Sequence, residues 1–317
     1  MVISNVSKQL KQFWRRHRIA RRSPAKVLIN CHHRNAENPL WHSQHQCLYW
    51  TDIPAGKLFR YRLGQRGYEQ IYIGEPVGGF TIQADGSLLL VKTNGTVQIW
   101  QEGELTTVID EILAVRGTRF NDAIADLAGR VFSGTIATDT APGILYRIEP
   151  DGTYQAVVED LKTPNGMAFT ADYRYFYLTD SNRRTIYRFD YDQSSGSLSN
   201  QIVHIKTPDA QGVPDGMTMD LQGYLWSAFW GGGCLCRYSP SGEEVLKIEL
   251  PTDDVSCVTF GGEHYDQLFI STAGGKGEGS SANGLLQSGL LQGFAGDIFS
   301  MAASVRGREE MRSRVGL

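Results

Sequence analysis

Hydrophobic positions in this chain come in short bursts separated by polar turns, and the bursts recur. "LYWTDIPAGKLFRY" (Leu48 to Tyr61), "LLLVKTNGTVQIW" (Leu88 to Trp100), "RVFSGTIATDTAPGILYRI" (Arg130 to Ile148), "YFYLTDSNRRTIYRFD" (Tyr175 to Asp190) and "YLWSAFWGGGCLCRY" (Tyr224 to Tyr238) share one plan. Each is an apolar strand, a polar turn, and a second strand ending near an aromatic or basic residue. "QLFISTAGG" (Gln267 to Gly275) with "GDIFSM" (Gly296 to Met301) completes the set. The period is about 40 to 48 residues, the length of a four-stranded blade, and about six such blades close into a ring. Helical spacing is nearly absent after residue 30. The pattern therefore predicts an all-β fold, a six-bladed β-propeller. A WD40-type scaffold is the rival, but its Trp-Asp dipeptide does not recur here.

Turn chemistry agrees with strands. "ADGS" at Ala84, "PDGT" at Pro150, "LQGY" at Leu221 and "PSGE" at Pro240 each place glycine where a turn between units needs positive φ. Two further glycines follow a proline and an oxygen-bearing side chain, in "TPNGMAF" (Thr163 to Phe169) and "VPDGMTM" (Val213 to Met219). A turn accounts for either copy alone: Pro fixes φ, Asn and Asp tolerate tight loops, Gly takes positive φ, and a strand starts at Met167 or Met217. In a propeller, however, polar residues just before the innermost strands converge on one mouth of the central channel. Asn165 and Asp215 are expected to meet there.

Composition narrows the function classes. Hydrophobic residues form 41% of the chain and there are 35 glycines, which favours many strands and tight turns over a helical bundle. A formal net charge of -3 gives no global attraction to nucleic acid or a membrane surface. A small molecule is the expected partner. The cysteines, Cys31, Cys47, Cys234, Cys236 and Cys257, are odd in number and scattered, so no disulfide framework is implied. Cys234 and Cys236 share one face of a strand and are expected to pack rather than hold zinc. No stretch is apolar enough to span a bilayer, and the expected location is a reducing, soluble, cytoplasmic compartment. The N-terminus differs: Lys11, Arg15, Arg16, Arg18, Arg21 and Arg22 surround only Phe13 and Trp14 as large apolar anchors. That segment lacks the apolar core of a signal peptide. A transit peptide, a nucleic-acid or lipid contact and an amphipathic helix stay open beside the plainest reading, a loosely held basic extension. The expected division is 1–30 extension and 31–317 propeller.

Two more stretches carry polar side chains ahead of a repeat. "AENPLWHSQHQCLYWTD" brings Glu37, and "TRFNDAIADLAGRVF" brings Arg119, Asn121 and Asp122. Glu37 with Asn165 and Asp215 makes a set of three oxygen ligands without His or Cys. His32, His33, His42 and His45 lie nearby in sequence only and are expected to be loop or surface residues.

In this order, "ENPLW", "RFNDAIADLAGR", "TPNGMAF", "DSNRRTIYRFDYD" and "VPDGMTMDLQGYLWSAFWGGGCLCRYSPSGE" closely resemble the regucalcin/gluconolactonase family, also called the senescence marker protein family. The resemblance runs from about Ala36 to the last blade. It implies one divalent metal ion in the channel (calcium, zinc, manganese or magnesium), held by Glu37, Asn165 and Asp215 and completed by water or substrate. It further implies that Arg119 and Asn121 bind substrate, and that Asp122 orients the site or binds metal-bound water. Asp139, in "ATDTA", falls where some members carry a substrate-contacting glutamate. The chain departs from the family at Ala36 and Asn38, where glycine is usual, and at Ala123, Ile124 and Leu127. Those departures bear on substrate choice.

The implied activity is hydrolysis of a sugar lactone of the gluconolactone kind. Such a reaction needs a polarised carbonyl, an aimed water and a stabilised oxyanion. The metal suits the first as a Lewis acid, Asp215 is the expected general base, and Arg119 and Asn121 offer donors. The alternatives are a different lactone, a phosphotriester, and a non-catalytic calcium-binding propeller. Absence of a G-x-S-x-G motif speaks against a serine hydrolase.

Overall fold

The computed structural model describes residues 23–274 and 293–317. Most of the expected basic extension therefore lies outside the described residues. Six four-stranded sheets, each antiparallel, surround one axis. With strands numbered β1 to β24 along the chain, the innermost strands are β2 (Ala36–His42), β6 (Val77–Ile82), β10 (Phe120–Ala125), β14 (Pro164–Phe169), β18 (Val213–Met219) and β22 (Val255–Gly261). Each touches the next, and β22 touches β2, which closes the ring.

The recurring apolar bursts are the second and third strands of successive blades. The four turn glycines have positive φ as expected: Gly86 (φ 89), Gly152 (φ 83), Gly223 (φ 81) and Gly242 (φ 88). They join strands within blades rather than linking one blade to the next. Innermost strands are buried along nearly their whole length because both faces of each sheet are covered by neighbouring sheets. The core is accordingly divided into six clusters, each between two adjacent blades.

The last blade is assembled from both ends of the described chain. β1 (Lys26–Ile29) pairs with β24 (Ile298–Ala302) and is the outermost strand of the sheet whose innermost strand is β22. Asp297, fully buried, accepts hydrogen bonds from the Cys31 and His32 amides at 2.9 and 3.1 Å. The sheet thus begins inside the segment read from sequence as extension.

After β24 the chain runs across the face where the innermost strands end. Its main chain bonds to Leu221, Tyr265, Ile82, Ala84 and Gly129, Arg308 donates to the Phe169 carbonyl at 2.7 Å, and Glu309 accepts from Ser43 at 2.5 Å. Every blade is touched. Glu310 and Met311 close the channel from that side, leaving a cavity of about 40 Å³ beneath the opposite mouth. Val315 is fully buried in the core between the second and third blades. Burial of one such side chain contributes about 1.5–3 kcal/mol, so truncation after Ala302 is expected to lower the melting temperature by about 5 °C or more. Calorimetry that finds no fall would show the strap to be dispensable. Among the described residues no helix is long and apolar enough to cross a membrane.

Candidate functional site at the open channel mouth

All six innermost strands break register near their starts: after Glu37, Val77, Asn121, Pro164, Pro214 and Val255. A bulge re-aims the side chains beside it. Here it brings Glu37, Asn121, Asn165 and Asp215, all nearly buried, to one mouth of the channel. Asn165 and Asp215 are therefore strand residues, and the strands start earlier than a turn reading places them. Gly166 and Gly216 are not among the positive-φ residues. Crowding is their reason: a Cβ on Gly166 stands 2.4 Å from the Met217 nitrogen and 2.6 Å from the Asp215 carbonyl oxygen. Backbone cannot yield there as a side-chain tip can. Gly166→Ala is expected to destabilise by roughly 3 kcal/mol or more, read as the shift of a denaturation midpoint, and a change below about 1 kcal/mol contradicts the crowding argument.

Two buried aspartates fix the approach to these strands. Asp180 accepts the amides of Lys162 and Thr163 at 3.0 and 2.9 Å, just ahead of Asn165. Asp52 does the same for Arg34 and Asn35, at 3.2 and 3.1 Å, just ahead of Glu37. Their Thr-Asp dipeptides recur in "LYWTD" and "FYLTD".

The resulting cavity has a volume of about 560 Å³. Asn165 donates from Nδ2 to Asp215 Oδ1, and to Ser181 Oγ at 3.3 Å. Asn121 donates to the Pro164 carbonyl at 2.9 Å, and its own Oδ1 accepts from Arg119 at 2.7 Å. Burial, then the Asp122 charge, pushes the Glu37 carboxyl up to about 8, against the Asn38 amide and Arg119. Burial also raises Asp215 well above the carboxylate range, reinforced by Glu37, Asp122 and Asp254 and opposed by Arg119. Acids held this far toward neutrality are short of positive charge, which a bound cation would supply. Two carboxyls and an amide fit a hard, oxygen-preferring divalent ion. Among the described residues no three His, Cys, Asp or Glu side chains gather as a metal cluster.

The other expected residues separate. Asp122 faces the cavity beneath the site with Glu310 and is pushed up to about 7, chiefly by burial. Asp139 lies exposed on the segment between the second and third strands of its blade, outside the residues lining the cavity. Asn38, a departure from glycine, takes φ 51; its Oδ1 accepts the Phe80 amide at 2.9 Å and its Nδ2 donates to Asp122 at 2.5 Å. One side chain thereby ties three blades together at a position whose left-handed backbone favours Gly or Asn. The histidines stay out of the cavity: His33 stacks on Phe59, and His42 on His45. Cys234 and Cys236 are buried with sulfurs 3.9 Å apart, among five free cysteines. Ser181, Arg184, Asp209 and Trp230 also line the cavity, and reading the sequence had not singled them out. Their signal was position, since each follows or ends a strand that rises to the same mouth.

Fold and site together define a closed six-bladed propeller with a buried acid–amide cluster beside an arginine at its open mouth. Residues 35–274 match the family model described as SMP-30/Gluconolactonase/LRE-like region, and the chain belongs to that family. It is 41% identical to a pentonolactonase of Haloferax volcanii over 90% of this chain and 96% of that one. It is 31% identical to regucalcin of Bos taurus over 86% and 91% respectively. A calcium-binding regucalcin of Agrobacterium tumefaciens has the same fold, with a TM-score of 0.82 at 21% identity over 91% of this chain and 97% of that one. So does a gluconolactonase of Xanthomonas campestris, with a TM-score of 0.71 at 20% identity over 88% and 89%.

Proposed function

We propose that this chain is a metal-dependent lactonase that opens a sugar lactone to its hydroxy acid. The observation that carries this reading is the meeting of Glu37, Asn165 and Asp215 with Arg119 and Asn121 around one cavity. Glu37, Asn165 and Asp215 would hold a divalent ion, which when bound supplies Lewis-acid polarisation of the lactone carbonyl. Asp215 takes a proton from the attacking water as its oxygen bonds to the carbonyl carbon. The ring C–O bond then breaks, and the departing oxygen takes up a proton to become a hydroxyl. Arg119 donates to the substrate while its contact with Asn121 fixes both side chains. The support from relatives is the pentonolactonase likeness over nearly the whole chain.

Acid release from a panel of aldonolactones, by chelated protein re-supplied with single metals, tests the proposal. Metal-restored turnover of a polyhydroxylated lactone is the expected result. Full metal occupancy without acid release from any lactone would leave a binding propeller instead.

A further inference from the structure

The side of the cavity formed by the fourth and fifth blades is built differently from the Arg119 side. Arg184 follows the short 3-10 turn Ser181–Arg183 with a left-handed φ of 52. Its guanidinium donates from Nη1 to the Gly212 carbonyl, while Nε is 3.1 Å from Asp209 Oδ1. Those two contacts leave Nη2 to face other partners. The Asp209 side chain is 97% exposed against 26% for Arg184, so this pair forms the outer wall above the buried acids. The wall is held firmly. A Cβ on Gly212 stands 2.5 Å from the Trp230 carbonyl oxygen, and one on Gly232 stands 2.1 Å from the Gln211 carbonyl oxygen. Only glycine lets the loop carrying Asp209 lie backbone to backbone on the strand end carrying Trp230.

A sugar hydroxyl both donates and accepts, and a guanidinium beside a carboxylate presents one donor and one acceptor at matching spacing. The cavity, at about 560 Å³, has room beyond a lactone ring for hydroxylated carbons reaching this wall. The ion pair offsets the arginine charge, which favours a neutral group over a phosphate or carboxylate there. We infer that Arg184 and Asp209 are specificity-determining residues that read a neutral vicinal diol at the end of the lactone remote from its carbonyl. This rests on the lactonase reading.

The test compares glucono-δ-lactone with δ-valerolactone, which has the same ring size and no hydroxyls, at saturating metal. Asp209→Ala changes an exposed side chain, and Arg184→Asn keeps a residue that tolerates positive φ. Each is expected to raise KM for gluconolactone about tenfold with kcat nearly kept, and to change kcat/KM for valerolactone by less than about twofold. Arg184→Lys is expected to recover part of the gluconolactone KM. Equal losses on both lactones, no loss on either, or a wild-type preference for an anionic substituent would each overturn the inference. Wild-type protein that hydrolyses no lactone overturns the lactonase reading as well, so the two failures are distinguishable.

Discussion

Asp215→Asn is expected to lower lactone turnover by roughly a hundredfold to ten-thousandfold at full metal occupancy, the usual worth of a positioned proton transfer. The substitution keeps size and one oxygen while removing the charge and the proton acceptor. Because Asp215 lies within a bulged strand, with Gly216 packed against Cys257, an isosteric change leaves the backbone in place. Weaker metal binding mimics the loss, so occupancy must be measured in the same samples. Asn165→Asp is the control: it adds charge next to Asp215 and is expected to shift metal preference more than it removes a base. Near-normal turnover by Asp215→Asn at full occupancy excludes Asp215 as the base and leaves it a ligand.

Strong chelation is expected to abolish turnover altogether and to change how stability depends on pH. Without metal, Glu37 and Asp122 hold their protons to about 8 and about 7, whereas in the unfolded chain they ionise near 4. A raised folded value means that the contribution is complete below the unfolded value and is lost as pH rises through the folded one. The melting temperature of chelated protein should therefore fall between about pH 5 and pH 8. Bound metal requires the ionised ligands and stabilises only the folded state, so loaded protein should resist that fall. A chelated sample that melts equally at both ends of the range would contradict the burial of these acids.

The blades were legible because strand two and strand three carry the strongest apolar runs and a polar turn between them. Glu37, Asn165 and Asp215 were legible because they precede such runs in separate repeats. The bulge that aims them was not. It depends on how six inner strands crowd one axis, a non-local packing condition that no local motif encodes, and it is why the Gly166 and Gly216 positions read as turns. β1 escaped for a related reason, since "KVLI" looks like any short apolar tail until its partner, far along the chain, is known. Arg184 and Asp209 carry no periodic signal at all, only a place at the strand tops.

The shared sixth blade sets an order of events during synthesis. Asn30 bonds to Asp297, 267 residues later, so at roughly 5–20 residues per second the first strand waits about 13 to 53 s for its partner to leave the ribosome. Through most of that interval, until the strands Val255–Gly261 and Gln267–Thr272 are made, the first blade has no neighbour on one flank, and the apolar side chains that will meet Phe269 and Ile298 remain open to water or to a chaperone. A nascent chain stalled before Asp297 is a fan of blades with a sticky leading edge, and protection of Trp41 and Trp50 from solvent should appear only once the final strand has been delivered.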